Sequence, residues 1–111
     1  MPWRPTGIAA ATLAPGGSRE VMLEMRSVLL VNIEGSISAV EATCPHLGGI
    51  LADGKLEGPR LTCPEHGAVF DALSGKVVAD PFGVEPPDGA VDPLITFPTR
   101  IVAGLIEVEL A

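Results

Sequence analysis

The chain has 111 residues, of which 47% are hydrophobic, and carries a formal charge of −7. That length accommodates one domain with a buried core, and that apolar content excludes a disordered acidic tail. The acidity argues against nucleic acid as a partner, because binding phosphates needs a basic surface.

No apolar run approaches the roughly 18 residues needed to cross a bilayer. The apolar stretch from Ile8 to Ala14 is interrupted by Thr12 and is marginal for the core of a secretory signal. A cytoplasmic protein with no membrane attachment is therefore expected. The surplus of carboxylates serves solubility or steers the chain toward a basic face on a partner protein.

Short segments rich in Val, Ile and Leu follow one another between frequent Gly and Pro residues, 24 of them in all (13 Gly and 11 Pro). Val21 to Arg26 and Val28 to Ile33 read as strands. Glu34-Gly35-Ser36 reads as a turn, and Ile37 to Ala42 pairs back with alternating polar and apolar residues. Residues 43 to about 80 are dense in Gly, Pro, Cys and His and read as a small subdomain inserted between two β halves. Residues 80–93, with four prolines and two glycines, read as a long stiffened loop. Near the end, Thr99 to Val102, then Ala103-Gly104, then Leu105 to Leu110 reads as a hairpin. Its last strand alternates Glu107 and Glu109 with Ile106, Val108 and Leu110, giving one wet and one buried face. No window shows a helical period, so an all-β sandwich or partly open barrel is expected. Its base comprises residues 1–42 and 94–111, and the whole chain forms a single domain.

Both cysteines and both histidines of the chain fall between residues 44 and 66. They form Cys44-Pro45-His46, 16 intervening residues (47 to 62), and Cys63-Pro64-Glu65-His66. Thiolate and imidazole together suit zinc or an iron–sulfur cluster. Zinc fingers usually pair Cys with Cys and His with His, whereas here each short motif is mixed. A pair of sulfide-bridged irons can use this order, with both cysteines on one iron and both histidines on the other. A Cys44–Cys63 disulfide would leave His46 and His66 without a role and conflicts with a cytoplasmic location. Gly75-Lys76 is not a phosphate loop, since the rest of that motif is missing.

The run from Cys44 to Val77, CPHLGGILADGKLEGPRLTCPEHGAVFDALSGKV, resembles the cluster-binding region of Rieske proteins: C-x-H, a spacer of this length, then C-x-x-H. Trp3 and the late Pro-rich loop are similar to the small Rieske ferredoxins of multicomponent, ring-hydroxylating oxygenases. The resemblance implies one [2Fe-2S] cluster per chain, ligated by Cys44, His46, Cys63 and His66. It also implies a loop opening at Pro81 that packs over the cluster, though residues 80–93 are longer than the family's usual loop. Gly48, Gly49 and Gly67 would allow close backbone approach, and Pro45 and Pro64 would stiffen the ligand loops.

Such a protein would be an electron carrier and not an enzyme. It would take electrons from an NAD(P)H-dependent flavoprotein reductase and pass them to a terminal oxygenase, acting as a monomer and docking through His46, Leu47, His66 and the Pro81 loop. Two ferric ions, two sulfides, two thiolates and two neutral imidazoles sum to zero charge, so one added electron gives −1 and a second is much harder to add. High-potential respiratory relatives carry extra cysteines where this chain has Gly49 and Glu65, and Ser and Tyr hydroxyls where it has Ala68 and Phe70; the chain contains no Tyr. Fewer donors to sulfur stabilise the reduced cluster less, so a potential toward the low end of the Rieske range is expected. The competing readings are a small subunit of a reductase such as nitrite reductase and a structural zinc module.

Overall fold

The computed structural model describes residues 3–43, 50–64, 68–79 and 93–110. They form eleven strands in three antiparallel sheets. The first sheet runs β1 (Trp3–Ala9), β11 (Leu105–Glu109), β10 (Thr99–Val102). The second runs β2 (Ser18–Leu23), β3 (Arg26–Ile33), β4 (Ser36–Glu41), β9 (Thr96–Phe97). The third runs β5 (Lys55–Glu57), β6 (Arg60–Thr62), β7 (Val69–Asp71), β8 (Val77–Ala79). Among the described residues the only helical pieces are single 3₁₀ turns at Ala10–Thr12 and Leu51–Asp53. None is long and apolar enough to cross a membrane. The all-β expectation holds, and no sheet closes into a barrel.

β3 explains why the base sheet is stable. Val28 through Ile33 are all buried, because both faces of this strand are covered. Leu29, Val31 and Ile33 join one apolar cluster with Leu61, Cys63 and Phe70. Val28 and Leu30 join a second with Ile8, Ile106 and Val108. A strand covered on both sides loses the polar alternation of a half-exposed one, and each large aliphatic side chain so buried contributes about 1.5–3 kcal/mol. Asn32, on the same strand, is the single buried polar side chain among the described residues. Its Nδ2 donates to the Leu13 carbonyl at 2.7 Å, and its Oδ1 accepts the Gly35 N–H at 2.7 Å.

The segment from Val21 to Arg26 is not one strand. β2 ends at Leu23 and β3 starts at Arg26, with Glu24 (φ 48°) and Met25 (φ 67°) turning between them. Both residues of this two-residue hairpin lie in the left-handed region, which such turns require. Neither is Gly, Asn or Asp, so the turn has no sequence signature. The turns at Glu34-Gly35 and Ala103-Gly104 have the same positive-φ geometry and do carry a glycine.

The N-terminal segment, marginal as a signal, is structural: β1 pairs with β11 and places Ile8 in the second cluster. In β11, Ile106 and Val108 are fully buried and Glu107 and Glu109 are not, as the alternation requires.

The third sheet arises within an excursion from the second. The chain leaves after β4, builds β5 to β8, and returns as β9 alongside β4, with Ala39 opposite Phe97 and Val40 opposite Thr96. Outgoing and returning segments therefore lie side by side at one end of the base sheet.

Candidate metal centre

The first Cys/His loop leaves from the end of β4. Its neck is closed by an antiparallel bridge between Thr43 and Ile50 and by the Leu51 N–H donating to the Ala42 carbonyl at 3.0 Å. Ala42 is held in turn to the base, its N–H donating to the Ser27 carbonyl at 3.0 Å. Cys44 and His46 lie between Thr43 and Ile50, outside the described residues, as do Leu47, Gly48 and Gly49.

The second loop leaves from the end of β6. Its neck is closed by the Cys63 N–H, which donates to the Ala68 carbonyl at 2.7 Å. Cys63 is 2% exposed and Pro64, next to it, is exposed. His66, Glu65 and Gly67 lie outside the described residues, as do Pro81 and the rest of residues 80–92. Of the predicted ligands, Cys63 is thus the one whose surroundings are described.

Those surroundings are hydrocarbon. Ala42, Leu51, Cys63, Ala68 and Phe70 belong to one buried cluster, so both necks are rooted in the same apolar mass. Ala68 and Phe70 are fully buried. Among the described residues no side chain offers a hydrogen bond to Cys63, and the one buried polar side chain, Asn32, lies on the strand face that points to the other cluster. The necks of both Cys/His segments share one dry platform, and the thiol and imidazole that the sequence puts in each segment would suit a diiron cluster with mixed ligation.

Two glycines assigned no structural role from sequence, Gly54 and Gly75, brace this platform. A Cβ on Gly54 would collide with the carbonyl of Thr62, the residue before Cys63. Gly54 also donates its N–H to the Leu51 carbonyl at 2.9 Å, closing the single 3₁₀ turn that follows the first loop. Gly75 (φ 80°) sits under Leu94 in the same way. Its turn is organised by Asp71, whose side-chain oxygen accepts the N–H groups of Leu73 and Ser74 at 2.8 and 3.2 Å. Nothing local in the sequence marks Gly54 or Gly75, because the close approaches that require glycine involve Thr62 and Leu94, each distant along the chain.

The Rieske [2Fe-2S] domain family matches residues 6–98. The ferredoxin component of the naphthalene 1,2-dioxygenase system of Pseudomonas putida is 32% identical over 74 residues, covering 67% of this chain and 71% of that one. Sulredoxin of Sulfurisphaera tokodaii is 32% identical over 114 aligned positions, covering 99% of this chain and 100% of its own. Among solved structures, a chain from the complex of reduced oxygenase and oxidised ferredoxin in carbazole 1,9a-dioxygenase superposes with a TM-score of 0.81 at 25% identity, over 97% of this chain and 93% of that one.

Proposed function

The chain belongs to the Rieske [2Fe-2S] domain family, and from that premise we propose that it serves as the ferredoxin of an oxygenase system, with Cys44, His46, Cys63 and His66 as ligands. Its cofactor is a Rieske cluster, and its role is to carry single electrons rather than to catalyse. The ligand assignment rests on the donor set and its spacing, together with the buried position of Cys63 at the neck of its loop. The excursion that builds the third sheet from residues 55–79 supports treating residues 43 to about 80 as a cluster-binding subdomain on a base of residues 1–42 and 94–111.

The bound cluster supplies reversible one-electron chemistry. This chain's residues exclude water from one side of it, root both ligand loops and set how many donors reach the sulfurs. The observation that carries the low-potential reading is the apolar shell of Cys63. Ala68 and Phe70 are fully buried and carry no hydroxyl, so no described side chain stabilises added negative charge near that sulfur. A low potential suits a carrier between an NAD(P)H-dependent flavoprotein reductase and a terminal oxygenase. Relatives that are ferredoxin components of dioxygenase systems support this placement, as does a structural neighbour from an oxygenase–ferredoxin complex.

The test is visible absorbance and EPR after dithionite reduction, followed by redox titration. A Rieske spectrum with a potential at the low end of roughly −150 to +300 mV is expected. A colourless protein holding one zinc ion would end the electron-carrier account, and a potential well above zero would end the low-potential account alone.

A further inference from the structure

A backbone contact joins the flanks of the two Cys/His segments. Gly54 ends the 3₁₀ turn that follows the first segment, and Thr62 immediately precedes Cys63. A Cβ on Gly54 would collide with the Thr62 carbonyl and stand 3.1 Å from the Leu51 carbonyl oxygen. Lys55 and Thr62 are the terminal facing pair of β5 and β6, so Gly54 lies one step beyond that pair, on the side of Cys63. Unlike Gly75, Gly54 needs no glycine for its backbone conformation. Its φ of −80° and ψ of 179° are extended values that any L residue adopts. The contact alone requires glycine here, and Ala at this position isolates it.

Both sides of the contact are held. On the first side, the Leu51 N–H donates to the Ala42 carbonyl and the Ala42 N–H to the Ser27 carbonyl, each at 3.0 Å. The exit of the first segment is thereby fixed to β3 of the base. On the second side, the Cys63 N–H donates to the Ala68 carbonyl at 2.7 Å. Leu61, Cys63, Ala68 and Phe70 are all buried in one cluster. A close-packed interior transmits a displacement rather than absorbing it. Pushing the Thr62 carbonyl off Gly54 therefore moves the Cys63 backbone, and the thiol with it.

We propose that Gly54 is a positioning residue for the cluster: its bare α-carbon sets the separation of the two Cys/His segments. It thus fixes the seat of Cys63 relative to the segment that carries Cys44 and His46. The proposal rests on the ligand assignment made above and adds a determinant outside the ligand set. Groups that orient ligands tune affinity and electronic structure without touching the metal.

The test compares Gly54→Ala with Gly58→Ala in the cluster-loaded protein. Gly58 lies in the β5–β6 turn with φ 56° and open space at its Cβ position. Its variant weakens the same hairpin through backbone strain and leaves the Thr62 contact intact. Gly54→Ala should shift the g values of the reduced-state EPR signal by more than their line widths. It should also lose cluster absorbance to excess EDTA about tenfold faster than the parent. Gly58→Ala should keep the parent's g values and release its cluster at close to the parent's rate. Parent g values in Gly54→Ala, or release no faster than in Gly58→Ala, would overturn the proposal. Where Gly54→Ala does not fold, hydrogen exchange in the parent decides. The Leu51, Gly54 and Cys63 amides are all hydrogen-bonded and should open with one common free energy, as a single unit. Cys63 opening separately from Leu51 and Gly54 overturns the proposal. A parent with no Rieske spectrum would sink the ligand assignment and this proposal with it, whereas a Rieske spectrum unmoved in Gly54→Ala sinks this proposal alone.

Discussion

Leu94 rests on Gly75. The Leu94 N–H donates to the Gly75 carbonyl at 2.8 Å, and the Leu94 carbonyl lies where a Cβ on Gly75 would have to go. This contact closes the excursion: it joins the turn between β7 and β8 to the segment that leads back to the base. Gly75→Ala should therefore be costly on two counts. Ala in the left-handed region costs about 1–2 kcal/mol, and displacement of the Leu94 carbonyl adds to that. Gly58 and Gly104 also have positive φ (56° and 81°), but open space surrounds their Cβ positions. Gly58→Ala or Gly104→Ala should show only the conformational part. Thermal unfolding of the three variants compares them directly, and equal losses would mean that the Leu94 contact contributes nothing.

Replacing any one proposed ligand should abolish the Rieske spectrum. His46→Ala and Cys63→Ala are expected to give no reduced-state EPR signal and to loosen the ligand loops, since metal binding couples to folding. A normal Rieske signal from either variant refutes its assignment.

Hydroxyls placed beside Cys63 should raise the potential. Ala68→Ser and Phe70→Tyr each introduce a donor into a shell that now has none among described side chains. A donor that favours the reduced cluster by about 1.4 kcal/mol raises a one-electron potential by about 59 mV. The Phe70 ring is fully buried, so a Tyr hydroxyl with no acceptor would cost about 1–3 kcal/mol of stability. A higher potential with retained stability shows that sulfur accepts the bond. An unchanged potential in both variants counts against tuning by hydroxyl donors at these two positions.

The two faces of β3 should be separable. Leu30→Ala opens a cavity in the cluster shared with Ile8 and Ile106 and should cost about 2–5 kcal/mol. Cys63 lies in the other cluster, so the EPR line shape should survive where the protein is still folded. Coupled loss of both would show that the base and the metal platform do not act as independent packing units.

The strained turn at Glu24-Met25 should be improvable. Met25→Gly relieves a left-handed side chain, worth about 1–2 kcal/mol, and gives back about 0.5–1 kcal/mol of backbone entropy. A net gain of about 0.5–1 kcal/mol in unfolding free energy is expected. Since Met25 is 96% exposed, no packing loss should offset it, and a lower melting temperature would contradict this.

Much of the fold was legible because its signals are local. The hairpins around Glu34-Gly35 and Ala103-Gly104 announce themselves through glycine, which adopts positive φ without a Cβ penalty. The alternation in β11 reports its buried face directly. The proposed donor set stands within 23 residues (44 to 66), and so does the mixed spacing that argues against a zinc finger. Glu24-Met25 was hidden because the pairing of β2 with β3, not any turn residue, forces those two residues into the left-handed region.

By itself, then, the sequence determined the β class, the spacing of the proposed ligands and the absence of hydroxyls at positions 68 and 70, all properties of residues near one another in the chain or of single side chains. Tertiary structure alone decided that both faces of β3 are covered, that Gly54 and Gly75 must be glycines, and that Arg26 meets Phe97 beside Thr43. Each of these depends on contacts between segments distant along the chain, whose proximity is set by the summed burial of apolar surface and leaves no periodic trace in either segment alone.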